Sequence, residues 1–181
     1  GFVAPTQFGL PPETIAGAAF SDSDAGLGMV FTETASMPSR YYLVGSGKPL
    51  LLYDANQSGI DSGYLSEARS LLVPSFDGVQ IPVHFFIPNG TSAAAPRPAL
   101  FLIHGGPDEH LDPLYSSAIQ YLANRGFVVV APNVRGSTGF GRQYAALDSG
   151  DWGGGHIRDI VELAAAARTL DFIDEDHLFI A

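Results

Sequence analysis

An α/β fold is what these 181 residues predict, a doubly wound sheet preceded by a short β-rich segment. Two observations carry that expectation. Before about residue 66 the chain holds short apolar runs at close spacing without helical periodicity, and after it apolar strands alternate with amphipathic helices. A third, the Asp77-Gly78 dipeptide between two extended runs, marks an antiparallel hairpin at the junction, because it accepts the backbone angles of a tight turn.

In chain order, residues 28–34, 40–44 and 49–53 read as short strands separated by Ser, Gly, Asp and Pro clusters. Three or four such strands fit one blade of a propeller or the edge of a small barrel, and no second copy of the pattern occurs. Residues 69–76 and 79–87 form the arms of the hairpin. Residues 99–103 are wholly apolar, as in a strand buried on both faces of a parallel sheet. Residues 114–125 place Leu114, Ala118, Ile119, Leu122 and Ala123 on one helical face and end at Gly126, a residue suited to a left-handed cap. Residues 127–131 make the next buried strand. Residues 156–170 repeat the helical pattern through Ile157, Ile160, Val161, Ala164 and Ala167, and residues 177–181 open another strand. Asp171, Asp174, Glu175 and Asp176 between them read as a solvated turn rather than a cation site, since the spacing and glycine of a calcium loop are absent.

Composition narrows the partners. A net charge of -10 with Lys48 as the single lysine offers no basic surface to phosphates, so no nucleic-acid partner is expected. No run approaches the roughly 20 apolar residues of a membrane span, so no membrane partner is expected either. The absence of cysteine removes disulfide and thiolate chemistry and leaves the compartment open. His84, His104, His110, His156 and His177 lack the spacing of a metal-binding helix, and neither a metal nor a cofactor is expected. The chain begins at Gly1 without methionine and ends on an apolar run, which reads as a strand cut short, so both ends are expected to be artificial.

Chemistry is best placed at His104-Gly105-Gly106-Pro107, directly after the apolar strand, where ligands bind in sheets of this kind. Glycines there let the backbone approach a substrate and aim N–H groups at a developing oxyanion. A plain glycine-rich turn is the alternative reading of the same residues. The later run 132–141 has the wrong glycine spacing for a nucleotide loop, and Arg135 within it reads as a tie to neighbouring acids. The glycines 153–155 before the second helix read as packing and capping residues. No Gly-x-Ser-x-Gly elbow occurs in the sequence.

The ordered series Val73-Pro-Ser-Phe-Asp-Gly-Val-Gln-Ile81, Leu102-Ile-His-Gly-Gly-Pro107, Pro132-Asn-Val-Arg-Gly-Ser-Thr-Gly-Phe-Gly141, Asp151-Trp-Gly-Gly-Gly155 and Asp159 resembles the prolyl oligopeptidase family, especially its acylaminoacyl-peptidase branch, over about residues 65–181. The resemblance implies the N-terminal portion of an α/β-hydrolase catalytic domain at 67–181, and a segment like the last blade of a β-propeller at 1–66. It implies a serine-type peptidase that hydrolyses short or N-acylated peptides by acyl transfer, with peptide or acyl-peptide substrates. Gly106 becomes an oxyanion donor, Gly105 shapes the turn, and His104 occupies the position of an oxyanion-contacting residue in related peptidases, not that of a base. The serine, aspartate and histidine of the triad are expected beyond Ala181, so the chain alone is expected to be inactive. An esterase on the same scaffold and a noncatalytic α/β binding module are the competing readings, and homo-oligomerisation of an intact parent is left open.

Overall fold

The structure, a computed structural model, describes residues 9–10, 14–23, 26–106 and 109–181. Residues 1–8 and 11–13 of the β-rich segment, and Pro107 and Asp108 of the glycine-rich loop, lie outside the described residues.

The first sheet is an antiparallel meander of β1 (Thr14–Phe20), β2 (Gly28–Thr34), β3 (Met37–Val44) and β4 (Leu50–Asp54). Strand β1 was not legible as a strand in the sequence, because its small residues TIAGAAF lack the β-branched alternation that marks the others. One face is apolar around Val30, Tyr42 and Val44, which are buried with Leu10.

The second sheet runs β5-β6-β8-β7-β9. It contains β5 (Ala68–Pro74), β6 (Gln80–Phe86), β7 (Arg97–Phe101), β8 (Val128–Pro132) and β9 (Ile173–Ile180). Strands β5 and β6 form the expected hairpin, turned at Gly78 with a φ of 87°, and β6 lies antiparallel to β8. Strands β8, β7 and β9 run parallel to one another. The chain leaves β7 through α1 (Ser117–Asn124) to reach β8 on one side, then leaves β8 through the short α2 (Arg142–Ala145) and α3 (Gly155–Ala167) to reach β9 on the other. Crossovers of one hand that travel in opposite directions put their helices on opposite faces. Val128 and Val130 accordingly pack in the core that α3 covers, while Val129 and Ala131 pack with Ile119 of α1. The direction reverses at β7, so the carboxyl end of that strand opens where doubly wound sheets bind ligands.

Several boundaries move for physical reasons. Helix α1 begins at Ser117 rather than 114, because the Ser116 hydroxyl accepts the Ile119 N–H and caps it. Its end at Gly126, with a φ of 94°, is as expected. The buried face of α3 is rotated from the apolar stripe anticipated, and Gly155, Asp159, Leu163 and Ala167 point inward. Ile157 and Val161 stay 47% and 61% exposed, because Asp159 is drawn into the interior by Arg135. Strand β9 starts at Ile173, four residues before the expected start. Its register jumps from Arg97–Ile173 to Ala99–Leu178, so Asp174, Glu175, Asp176 and His177 bulge from the ladder. Asp174, Glu175 and Asp176 are thus part of a strand, while Asp171 stays in the turn before it, and Asp171, Glu175 and Asp176 are exposed.

The two sheets are tied through one side chain of α1. Gln120, buried to 3% exposure, donates from Nε2 to the carbonyls of Ala35 and Ser66, both at 2.8 Å, and accepts the Ser66 N–H at 2.8 Å. Ala35 lies in the β2–β3 turn and packs with Phe86 and Ile119. The Ser36 hydroxyl donates to Glu67 beside it. A glutamine among apolar helix residues gave no sequence signal of this role, since its partners are backbone groups 54 and 85 residues away.

Candidate functional site

Beyond β7 the ladder continues for two residues, with the Leu102 N–H on the Val130 carbonyl and the Ile103 N–H on the Ala181 carbonyl. The chain then turns out of the sheet at His104, Gly105 and Gly106. Gly106 has a φ of 64°, in the left-handed region that glycine enters without strain. A Cβ at Gly105 would meet nothing within 4 Å, so the space beside the loop is open. Among the described residues neither the Gly105 nor the Gly106 N–H has an acceptor. Two adjacent N–H groups without acceptors at the end of a parallel strand are able to receive an anionic oxygen.

His104 is held against the loop that follows β8. Its Nε2 lies 2.9 Å from the Ser137 hydroxyl, which itself donates to the Val134 carbonyl at 2.7 Å. Because that hydroxyl proton is used on Val134, Ser137 accepts from His104, and the imidazole carries its proton on Nε2. The arrangement braces the β7 loop on the β8 loop.

Between these loops and the start of α3 lies a cavity of about 340 Å³, walled by Ile103, His104, Gly106, Val134 and Ile160. Trp152, 79% exposed, stands at its edge. His156, read in the sequence as a residue at the end of an element, also lines it. Its Nδ1 is buried and has no hydrogen-bond partner among the described residues. The cavity thus presents apolar walls with a few polar atoms, the common composition of a ligand site.

Other motif residues converge in one ionic cluster, whose Arg135 also lines the cavity. Asp159, fully buried on α3, accepts from Arg135 Nη2 at 2.8 Å, from the Arg135 backbone N–H at 3.0 Å and from the Ser75 hydroxyl at 2.6 Å. Arg135 also grips Asp77 in the hairpin turn through both terminal nitrogens at 2.9 Å. The guanidinium of Arg135 lies 4.6 Å from the Phe76 ring centroid and that of Arg158 3.4 Å from it. The hydrogen bonds that Arg135 donates to Asp159 and then to Asp77 raise its pKa further above its ordinary value, and the Arg135 contact lowers that of Asp77. Arg135 is therefore the tie between loop and acids that the sequence suggested. A Cβ at Gly136 would overlap the Asp148 carboxylate, and one at Gly155 would press on the Arg135 side chain, which explains both glycines.

Asn133 does work that the sequence left unread. Fully buried at the end of β8, it accepts the Leu111 N–H at 2.7 Å and donates to the Leu111 carbonyl at 2.9 Å. Its own carbonyl accepts the Tyr144 hydroxyl at 2.7 Å. It pins the segment that returns from the glycine loop, and the only hint was an amide placed directly after a buried strand.

Fold and site define an α/β protein with a glycine-rich, donor-bearing loop at the switch point of its sheet. The matches with known proteins are specific. Residues 113–181 match the model of the prolyl oligopeptidase family. Dipeptidyl-peptidase 5 of Trichophyton equinum is 37% identical over 106 residues, which are 56% of this chain and 15% of that protein. Dipeptidyl aminopeptidase BIII of Pseudoxanthomonas mexicana is 40% identical over 92 residues, 51% of this chain and 13% of that protein. Among solved structures, a puromycin-hydrolyzing peptidase of Mycobacterium tuberculosis aligns over 87% of this chain and 25% of its own, with a TM-score of 0.77 and 25% identity. An acylaminoacyl peptidase of Pyrococcus horikoshii aligns over 92% of this chain and 26% of its own, with a TM-score of 0.75 and 23% identity. Over residues 113–181 the chain is thus similar to the prolyl oligopeptidase family, and it spans only about 15% of the length of the curated relatives it matches.

Proposed function

We propose that this chain supplies the oxyanion loop of a serine-type peptidase that hydrolyses short or N-acylated peptides by acyl transfer. The observation that carries the reading is Gly106, in a left-handed conformation after β7, with an N–H that meets no acceptor among the described residues and a cavity beside it. Gly105 shapes the turn and leaves the approach open, and His104 holds the loop through Ser137 without acting as a base. Residues 67–181 are then the N-terminal part of an α/β-hydrolase domain, and residues 1–66 a blade-like segment. The strand order of the second sheet and the antiparallel meander of the first support that division.

In this mechanism a serine held outside these 181 residues attacks the peptide carbonyl, and a histidine takes its proton and returns it to the leaving amine. The oxygen of the tetrahedral intermediate is received by the Gly106 N–H together with the N–H following the serine. Loss of one such donor costs about 10²–10³ in kcat. Replacing Gly106 with proline in the full-length protein removes the donor and also forbids the φ of 64°, and is expected to lower kcat on an acyl-amino-acid anilide by at least that factor. Unchanged turnover in a folded variant overturns the role.

The names of the dipeptidyl peptidase relatives support the reading of an amide rather than an ester substrate. Cleavage of a simple aryl ester without any anilide cleavage would replace the peptidase reading with an esterase. Failure of the full-length protein to take up a fluorophosphonate would leave a noncatalytic binding module.

A further inference from the structure

At the end of the second sheet opposite the glycine loop, two arginines meet in a polar cavity. Arg97 opens β7, Arg125 caps the C-terminus of α1, and both line a space of about 490 Å³. The Nε of Arg97 is buried and has no hydrogen-bond partner among the described residues. Neither guanidinium has a carboxylate partner among them, whereas Arg40 is paired with Asp54 and Arg135 with Asp77 and Asp159. What sets these two apart from the other unpaired arginines is that both line the same cavity. Among the described residues no acid lines the cavity.

Local structure accounts for one of the two. Arg125 complements the negative end of the α1 dipole, and its guanidinium lies 5.1 Å from the Tyr121 ring centroid. Nothing comparable answers the buried N–H of Arg97, and such a donor is costly unless something accepts from it. The amides on the wall do not compete for an anion. Asn89 spends Nδ2 on the Gly63 carbonyl at 2.7 Å, and Asn124 spends its own on the Gln120 carbonyl at 2.9 Å. The net charge of -10 does not forbid an anion here. Exposed charges beyond a Debye length of about 8 Å are largely screened at physiological ionic strength, while guanidinium groups in contact are not.

We propose that this cavity binds the oxoanion head of a small molecule, phosphate or carboxylate, with the planar fork of Arg97 making the directed contact and Arg125 adding the second charge. The volume lies within the range of small-molecule sites, about 300–1,000 Å³, so it admits an organic body behind the anion. The site is remote from the glycine loop and does not rest on the peptidase reading.

Calorimetric titration of the full-length protein with inorganic phosphate, and separately with acetate, at ionic strength matched with sodium chloride, tests this. Saturable one-site binding is expected, weakened at least tenfold by Arg97→Gln and by Arg125→Gln, with Arg97→Lys intermediate. Phosphate binding without acetate binding assigns the phosphoryl source, and the reverse assigns the carboxylate. Absence of saturable heat for both anions, or undiminished binding in variants with native circular dichroism, overturns the proposal. Should Arg97→Gln fail to fold, the exposed Arg125→Gln carries the test.

Discussion

Asp159 and Arg135 show how one buried charge organises its neighbours. Removing one partner of a buried ion pair leaves the other uncompensated, at a cost of about 3–5 kcal/mol. Asp159→Asn is expected to destabilise by that amount in denaturant unfolding, and a loss under 1 kcal/mol would reduce the pair to a spectator. Asp77 differs, because its carboxylate reaches solvent. Its folded pKa lies below the unfolded value of about 3.9, so its contribution is present above that value and is lost as pH falls through the folded one. The stability gap between the native protein and Asp77→Asn is therefore expected to close on acidification below about pH 4. His84 behaves in the same sense for another reason. Burial lowers its pKa, its Nδ1 lies 2.7 Å from the Ser70 hydroxyl, and the unfolded chain takes up its proton first, near pH 6.5. Stability is expected to be full above that pH and to fall as pH drops through it toward the lower folded pKa. The unfolding midpoint followed across pH 5–7.5 should show this slope, and His84→Gln should flatten it.

Turns and helix ends carry separable costs. Gly126 and Gly136 both have positive φ, 94° and 95°, but their surroundings differ. An added methyl at Gly126 meets open space, so Gly126→Ala is expected to cost only the left-handed backbone penalty, about 1–2 kcal/mol. At Gly136 the same change also strikes the Asp148 carboxylate, and the loss should be clearly larger. Equal losses, measured by chemical denaturation, would show that Asp148 moves aside freely. Because Gly136 adjoins Arg135, the larger loss also disturbs the brace beneath His104 and Ser137.

The sheet has two outer strands, β5 and β9, and β9 leaves Phe179 and Ile180 48% and 65% exposed. On α3, Ile157 and Val161 add apolar surface. An apolar outer strand is a template for association. Residues 1–181 prepared as a separate polypeptide are expected to self-associate, and Ile180→Lys is expected to lower the associated fraction in sedimentation velocity. A monomer with a sharp cooperative unfolding transition would contradict this. Gln120 joins the meander to the second sheet through three backbone hydrogen bonds. Gln120→Ala leaves those groups buried and unsatisfied, which costs about 1–3 kcal/mol each.

Local patterns were enough for every strand except β1, for both long helices, the Asp77-Gly78 hairpin and the location of the glycine loop, because periodicity and turn chemistry act within a few residues. Runs such as 127–131 announce a strand buried on both faces without any knowledge of its neighbours. Local patterns misjudged the inward face of α3 and the bulged start of β9, and gave no signal of the role of Gln120. In each case the deciding partner lies far along the chain: Arg135 for Asp159, Arg97 and Ala99 for β9, and Ala35 and Ser66 for Gln120. Whether Arg97 and Arg125 share a cavity, and whether the Gly106 N–H lacks an acceptor, were likewise settled only when distant segments packed together. Sequence alone specifies what each segment can bury and where it turns; tertiary packing decides which polar groups find partners and which remain for a ligand, because a hydrogen bond depends on distance in space and not on position in the chain.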